Sequence, residues 1–291
     1  MWEGEAFEIR RPERQRLPLV VASPHSGDRY PATMLQGTRL SPRELRRSED
    51  FLVQELAGDA PRLGAPLIHA RFPRAYVDVN REPYELDPEL FEGPLPGYAN
   101  ARSPRVAAGL GTIARVVASG QEIYGRRLPV GEALARIERC YLPYHRALAM
   151  LIEETCARFG FCLLLDCHSM PSLRELPEPA SSAHAEMVLG DGHGTTAAGP
   201  LLEIAAQSLG ANGYRVSFNA PYAGGFVTRH YGRPEQGVHA VQLEIARRLY
   251  MDEAALRAHA GLAAVRSAVA GVIAALGRWQ PESQTLPRAA E

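Results

Sequence analysis

The sequence has little of anything that would place the chain in a membrane, on a nucleic acid or in an oxidising compartment. No stretch approaches the roughly 18–20 uninterrupted apolar residues that span a bilayer. Residues 1–16 are charged and mixed, without the apolar core of a secretory leader, so a cytoplasmic protein is expected. Charge of one sign is missing as well. The 32 Lys+Arg against 33 Asp+Glu leave a formal net charge of -1, which excludes a bulk basic footprint for nucleic acid, though not a local patch. Cysteine is scarce: Cys140, Cys156, Cys162 and Cys167 fall in one central stretch, and no pair has CxxC spacing. A structural zinc ribbon and a thioredoxin-like motif are therefore excluded. The cysteines read as small hydrophobes in a reducing compartment, with Cys167 set apart because His168 follows it. There is no repeat at solenoid periods, no Walker phosphate loop, no GxSxG elbow and no linker.

What is present is globular: 291 residues, 46% hydrophobic and 22% charged. That length fits one large α/β domain. We expect a single domain over 1–291, with 281–291 a loose tail. Apolar runs at 17–23, 66–71, 75–80, 161–166, 185–190, 214–218 and 238–245 read as strands. The run at 161–166 is nearly continuous, as in a central strand covered on both faces. Helical patterns fall at 41–59, 132–159, 200–209 and 254–276. Ser41, Pro42 and Glu44 open the first with a capping box, and Pro143 predicts a break or kink in the second. Residues 81–111 and 220–237 read as loops, the first long enough to suggest a functional one. Strands alternating with helices predict a mainly parallel sheet with helices on both faces.

In such a sheet, ligands bind beyond the carboxyl ends of the strands. His25, the pair Asn80–Arg81, His168 and Glu244 all fall at or just past expected strand ends. Two neutral imidazoles, one carboxylate and a position left for water make the ligand set of a catalytic zinc. His25 and His168 supply the imidazoles. Asp28, Glu49 and Asp50 compete as the carboxylate. Asp50 is preferred because it precedes an apolar pair and is flanked by Leu45 and Val53, so it can lie near a buried face. A Glu ending an apolar strand is costly to bury unless paired or used. Glu244 is thus a candidate general base, against a salt bridge to Arg247 or Arg248. Asn80–Arg81 has the donors to grip a carboxylate, with Arg74 and Arg71 as further candidates. His145 reads as a packed or bridging helical residue, and His193 as an exposed turn residue.

The chain resembles the N-formylglutamate amidohydrolase (deformylase) family, itself similar to zinc carboxypeptidases and succinylglutamate desuccinylases. The matching pieces are SPHSG (23–27), SEDFLVQEL (48–56), YVDVNREP (76–83), YLPYHRAL (141–148), LLLDCHSMPS (163–172), NAPYAGGFVTRHYG (219–232) and VQLEIARRLYMDE (241–253). The resemblance implies an α/β fold with a mixed, mostly parallel sheet, of the zinc-carboxypeptidase-like (phosphorylase/hydrolase-like) kind. It implies a divalent metal, zinc, held by His25, Asp50 and His168, with Glu244 as general base. It implies Asn80 and Arg81 on the substrate's free carboxylate, with Arg74 assisting. The wider group has a Glu three residues after its first His, where this chain has Asp28. The expected substrate is a small N-acyl amino acid, N-formyl-L-glutamate first, with no nucleic acid or membrane partner. Three rivals remain. One is a peptidase or amidase on other substrates with a free carboxylate, and another is a sensor of N-acyl amino acids. The third is a Ser or Cys hydrolase using Ser26, Ser169 or Cys167, disfavoured because Cys167 and His168 point to opposite sides of an extended chain.

Overall fold

The computed structural model describes residues 2–117, 120–172 and 185–281. The expected tail at 281–291 lies outside the described residues except for its first position. Among these residues, seven strands form the central sheet: β1 (Phe7–Arg10), β2 (Leu19–Ser23), β3 (Leu67–Ala70), β4 (Cys162–Met170), β5 (Met187–Gly190), β6 (Val216–Phe218) and β7 (Val238–Ala246). Their order is β1-β3-β2-β4-β7-β5-β6. The inner four, β3, β2, β4 and β7, run parallel. β1 is antiparallel to β3, and β5 antiparallel to β7, so the sheet is mixed as expected.

Alternation along the inner strands assigns the two faces. Val20, Ala22, Leu164 and Ala240 join one apolar cluster, with Tyr144, Leu148 and Leu151 of α1 (Leu142–Phe159). Leu19, Val21, Leu163 and Val241 join the other, under α2 (Pro200–Ala211) and α4 (Gly261–Leu276). Each fully buried Leu or Val contributes about 1.5–3 kcal/mol by leaving water. No helix among the described residues is long and apolar enough to cross a membrane.

The α1 face changes character toward the carboxyl ends of β4 and β7. After Leu164, the next residues on that face are Asp166 and His168; after Ala240 they are Gln242 and Glu244. The ladder sets Asp166 opposite Gln242 and His168 opposite Glu244. All four are buried. A polar patch therefore opens directly from the central strands.

Several local expectations are corrected. The expected 41–59 helix is broken into Pro42–Arg46 and Val53–Leu56, and a separate short helix, Ala60–Leu63, follows. The capping box at Ser41 and Glu44 is present, but the chain turns at 47–52. There the Asp50 N–H donates to the His25 carbonyl (3.1 Å), and Leu52 takes a left-handed φ of 56°. Residues 75–80 form turns rather than a strand. Their alternating apolar side chains are buried all the same, with the Tyr76 N–H donating to the Pro73 carbonyl at 2.9 Å. Pro143 is accommodated by a π-helical turn, Ile137–Tyr141, between Val130–Arg136 and α1. The 220–237 loop contains α3 (Phe226–Tyr231). The last helix begins at Gly261, after a short antiparallel pairing of Met251–Asp252 with Arg257–Ala258. β1 lies in a segment that carries no strand expectation.

Candidate metal centre and surrounding cavity

His25 stands two residues past the end of β2, and His168 lies inside β4, two residues before its end. Gly27 lets the loop after β2 press against the backbone at Arg71 and Phe72, where any Cβ would collide with the Phe72 carbonyl. This close approach fixes His25 over the sheet edge. The broken helix then brings Asp50 between the two imidazoles. Asp50 Oδ2 lies 2.9 Å from His168 Nδ1 and 3.4 Å from His25 Nδ1. The rings stand 4.9 Å apart, centre to centre. Exposures of 1%, 1% and 3% for His25, Asp50 and His168 leave these groups out of bulk water. Among the described residues, this is the one cluster of His, Cys, Asp and Glu close enough to hold a metal ion.

The remaining ring nitrogens face carboxylates. His25 Nε2 donates to Asp78 Oδ1 at 2.7 Å, and His168 Nε2 lies 3.1 Å from Asp166 Oδ2. Such a carboxylate fixes the tautomer and aims the opposite nitrogen. His25 Nδ1 is then a buried nitrogen with no hydrogen-bond partner, pointed toward Asp50 and His168. Such a nitrogen is available as a donor to a metal ion. Asp78 is braced in turn by Arg74 Nη2 (2.8 Å) and by the Asn80 N–H (2.9 Å). Asp50 is backed by Ser169 Oγ (3.3 Å) and by Arg247 Nη2 (3.6 Å).

Electrostatics follow from this crowding. Burial alone would raise the Asp50 carboxyl, but His168 and His25 hold it well below the usual range. Burial would likewise raise Asp78, but Arg74, His25 and Arg81 depress it well below that range. Burial would lower His168, but Asp166, Asp50 and Glu244 raise it well above an ordinary imidazole. The cluster is rich in negative charge and favours a cation, whether a proton or a metal.

Glu244, beside His168 in the ladder, accepts from Gln242 Nε2 at 2.9 Å. Gln242 Oε1 in turn accepts from the Gly225 N–H at 2.7 Å. Burial pushes the Glu244 carboxyl up to about 7, with His168 pulling the other way. No ion pair joins Glu244 to Arg247 or Arg248: Arg247 serves Ser169, Asp50 and the Arg47 and Glu49 carbonyls, and Arg248 serves Glu186.

The other candidates separate cleanly. Asp50 joins the histidines, whereas Glu49 turns to Tyr30 (2.8 Å) and Arg46 (3.0 Å). Asp28 lies outside the cluster. Arg71 turns away to Glu5 (2.8 Å) and Glu8 (3.0 Å). Asn80 Oδ1 accepts from the Val227 N–H at 2.8 Å, leaving its amide nitrogen 3.4 Å from His168 Nε2. Arg81 donates to the Leu110 and Asn80 carbonyls. His145 bridges, as expected, between the Val79 carbonyl and Tyr231 Oη, each at 2.9 Å. Cys167 faces the opposite apolar cluster, where burial pushes its thiol up, so it is no partner for His168. The carboxylates Asp78 and Asp166 were missed by sequence reasoning. Their signal was a charged residue inside an apolar run, close to a candidate ligand.

A cavity of about 490 Å³ opens over this cluster. His25, Asp50, His168 and Glu244 line one part of it, and Arg74, Arg81 and Arg105 another. The volume is that of a small-molecule pocket.

The family model described as N-formylglutamate amidohydrolase matches residues 17–251. The chain is 31% identical over 280 residues to an N-formylglutamate deformylase of Pseudomonas aeruginosa, covering 94% of this chain and 98% of that one. It is 31% identical over 242 residues to an N-formylglutamate deformylase of Pseudomonas putida, covering 82% of this chain and 83% of that one. The crystal structure of an N-formylglutamate amidohydrolase from Ralstonia eutropha superposes with a TM-score of 0.85 at 37% identity, over 92% of this chain and 96% of that one. With a family match across most of its length, the chain belongs to the N-formylglutamate amidohydrolase family.

Proposed function

We propose that the chain is a zinc-dependent amidohydrolase that converts N-formyl-L-glutamate and water to formate and L-glutamate, the whole of 1–291 acting as one catalytic domain. The observation that carries this reading is the convergence of His25, Asp50 and His168 with Glu244 at their side. The donor set fits zinc: two imidazoles and one carboxylate, with the cavity side left for water or substrate. The unpartnered His25 Nδ1 supports the fit. A divalent cation held there supplies Lewis acidity to the formyl carbonyl and lowers the pKa of water.

The chain's own residues do the rest. Glu244 takes a proton from the attacking water and returns it to the departing amine nitrogen. A carboxyl held near neutrality by burial can do both. Gln242 fixes which way that carboxylate faces. Arg81 and the Asn80 amide nitrogen hold the substrate's α-carboxylate, and Arg74, anchored on Asp78, supports that end of the cavity. Holding the formamide against Glu244 removes much of the entropic part of the barrier.

The test is glutamate release by protein stripped of metal and then reloaded with zinc. N-formyl-, N-acetyl- and N-succinyl-L-glutamate and N-formyl-L-aspartate are the substrates to compare. Zinc-dependent release from the formyl compound alone is expected. Metal binding without release from any of them would overturn the substrate assignment.

A further inference from the structure

Among the described residues, four arginines line the cavity: Arg74, Arg81, Arg105 and Arg247. Three are committed to protein acceptors. Arg74 is tied to Asp78, Arg81 to the Leu110 and Asn80 carbonyls, and Arg247 to Ser169, Asp50 and two backbone carbonyls. Among the described residues, the Arg105 guanidinium has no hydrogen-bond or ion-pair partner. It is nonetheless half-buried, on a short helix (Pro104–Ala107) within the long 81–111 segment, which Ser103 caps. A cation drawn out of water and left unpaired is unfavourable unless something arrives to pair it.

The position of Arg105 says what arrives. A second, smaller cavity of about 240 Å³ adjoins the first, lined by Glu82, Glu85, Phe226, Arg229 and His230. Asn80, Arg81 and Arg105 line both cavities, so Arg105 stands at their partition. None of the three cluster residues lines the second cavity. An N-formyl dicarboxylic amino acid carries one carboxylate on the carbon bearing the scissile amide and a second at the end of its side chain. With the amide at the cluster and the first carboxylate at Arg81, the second extends toward the partition.

We infer that Arg105 is the specificity-determining residue that binds the side-chain carboxylate of the substrate, and that it makes the enzyme selective for acidic N-formyl amino acids over their neutral isosteres. This rests on the hydrolytic reading of the site given above. The interaction is made equally in the bound substrate and in the transition state, so it acts on KM and leaves kcat in place.

The experiment compares N-formyl-L-glutamate with its uncharged isostere N-formyl-L-glutamine, using zinc-loaded protein and the Arg105→Gln and Arg105→Lys variants. Arg105 has no partner to lose among the described residues, so both variants are expected to fold. In Arg105→Gln, kcat/KM for the glutamate compound falls about 10- to 100-fold, the weight of one charge-assisted hydrogen-bonded pair, almost wholly through KM. Turnover of the glutamine compound stays where it was, and Arg105→Lys recovers part of the loss. An unchanged preference for glutamate in Arg105→Gln would overturn the assignment, as would an equal loss on both substrates. If unaltered protein releases formate from neither compound, the hydrolytic reading itself fails, and this assignment fails with it.

Discussion

His168 and Glu244 face each other in register across two neighbouring parallel strands, β4 and β7, at the centre of the sheet. One is a candidate metal ligand and the other a candidate proton carrier. Their spacing is fixed by a backbone ladder rather than by mobile loops. Groups on such a scaffold keep their geometry before the substrate arrives. The alternation that buries Leu164 and Ala240 under α1 sends His168 and Glu244 to the same face.

Replacing Glu244 by Gln keeps the shape of the side chain and removes its proton chemistry. Metal content is expected to stay at the level of the unaltered protein, while kcat falls about 10²- to 10⁴-fold, the usual worth of general acid–base catalysis. The base must be ionised to act, so activity is lost on the acid side. Burial puts the Glu244 carboxyl at about 7, and a cation on the cluster draws it down from there. The acid limb of kcat/KM therefore centres at or below that value, and Glu244→Gln lacks it. Full turnover in this variant would remove Glu244 from the mechanism.

Asp78 lies outside the His25–Asp50–His168 cluster and reaches it through His25 Nε2. Asp78→Asn loses the charge that orients this imidazole. Metal affinity, measured by competition with a chelator, is expected to weaken about 10- to 100-fold, as for other carboxylates behind metal-binding histidines. An affinity equal to that of the unaltered protein would mean that Asp78 does not set the orientation of His25.

Gly225 packs directly on the Asn80 side-chain amide, and its N–H holds Gln242, which holds Glu244. A Cβ at this position collides with that amide. Gly225→Ala is therefore expected to displace Asn80 and Gln242 together. Overpacking of this kind costs about 1–3 kcal/mol of stability. Activity should fall in the fraction that remains folded, as read by kcat and KM beside a melting curve.

His145 supplies a pH dependence of stability away from the chemistry. Burial lowers its pKa to about 4, although its bond to the Val79 carbonyl opposes the shift. The folded protein holds it neutral, whereas the unfolded chain protonates it below about 6.5. Its contribution is thus complete above about 6.5 and is lost as pH falls from there toward about 4, to an upper limit of roughly 3 kcal/mol. A His145→Gln variant should lose less of its melting temperature than the unaltered protein over that interval. Parallel pH curves would contradict this.

The strands were legible where burial on both faces demands a continuous apolar run, as at 161–166, and where period-two alternation stops at a polar residue. The Ser41–Glu44 cap was legible because it is local chemistry. The turn at 47–52 was not. The break at Asp50 depends on a hydrogen bond to His25, far back along the chain, and no local pattern records that contact. Residues 75–80 alternate like a strand, yet the Pro73 carbonyl captures the Tyr76 N–H and turns the chain. His25, His168 and Glu244 were visible as costly polar groups at the ends of apolar runs. Asp78 and Asp166 are equally costly, but their worth appears only when the imidazoles they face are in place. Arg105 gave no sequence signal, because its distinction is the lack of a partner among the described residues in three dimensions.

The most direct test of the account is metal stoichiometry by elemental analysis, carried out together with formate release from N-formyl-L-glutamate. Unaltered protein, His25→Ala, Asp50→Ala and His168→Ala are to be compared after zinc loading, each checked for folding by its circular dichroism. The account predicts one zinc per chain in the unaltered protein, loss of zinc from all three variants, and formate release that follows the zinc. Stoichiometric zinc in the three folded variants, or formate release undiminished by its removal, would contradict it.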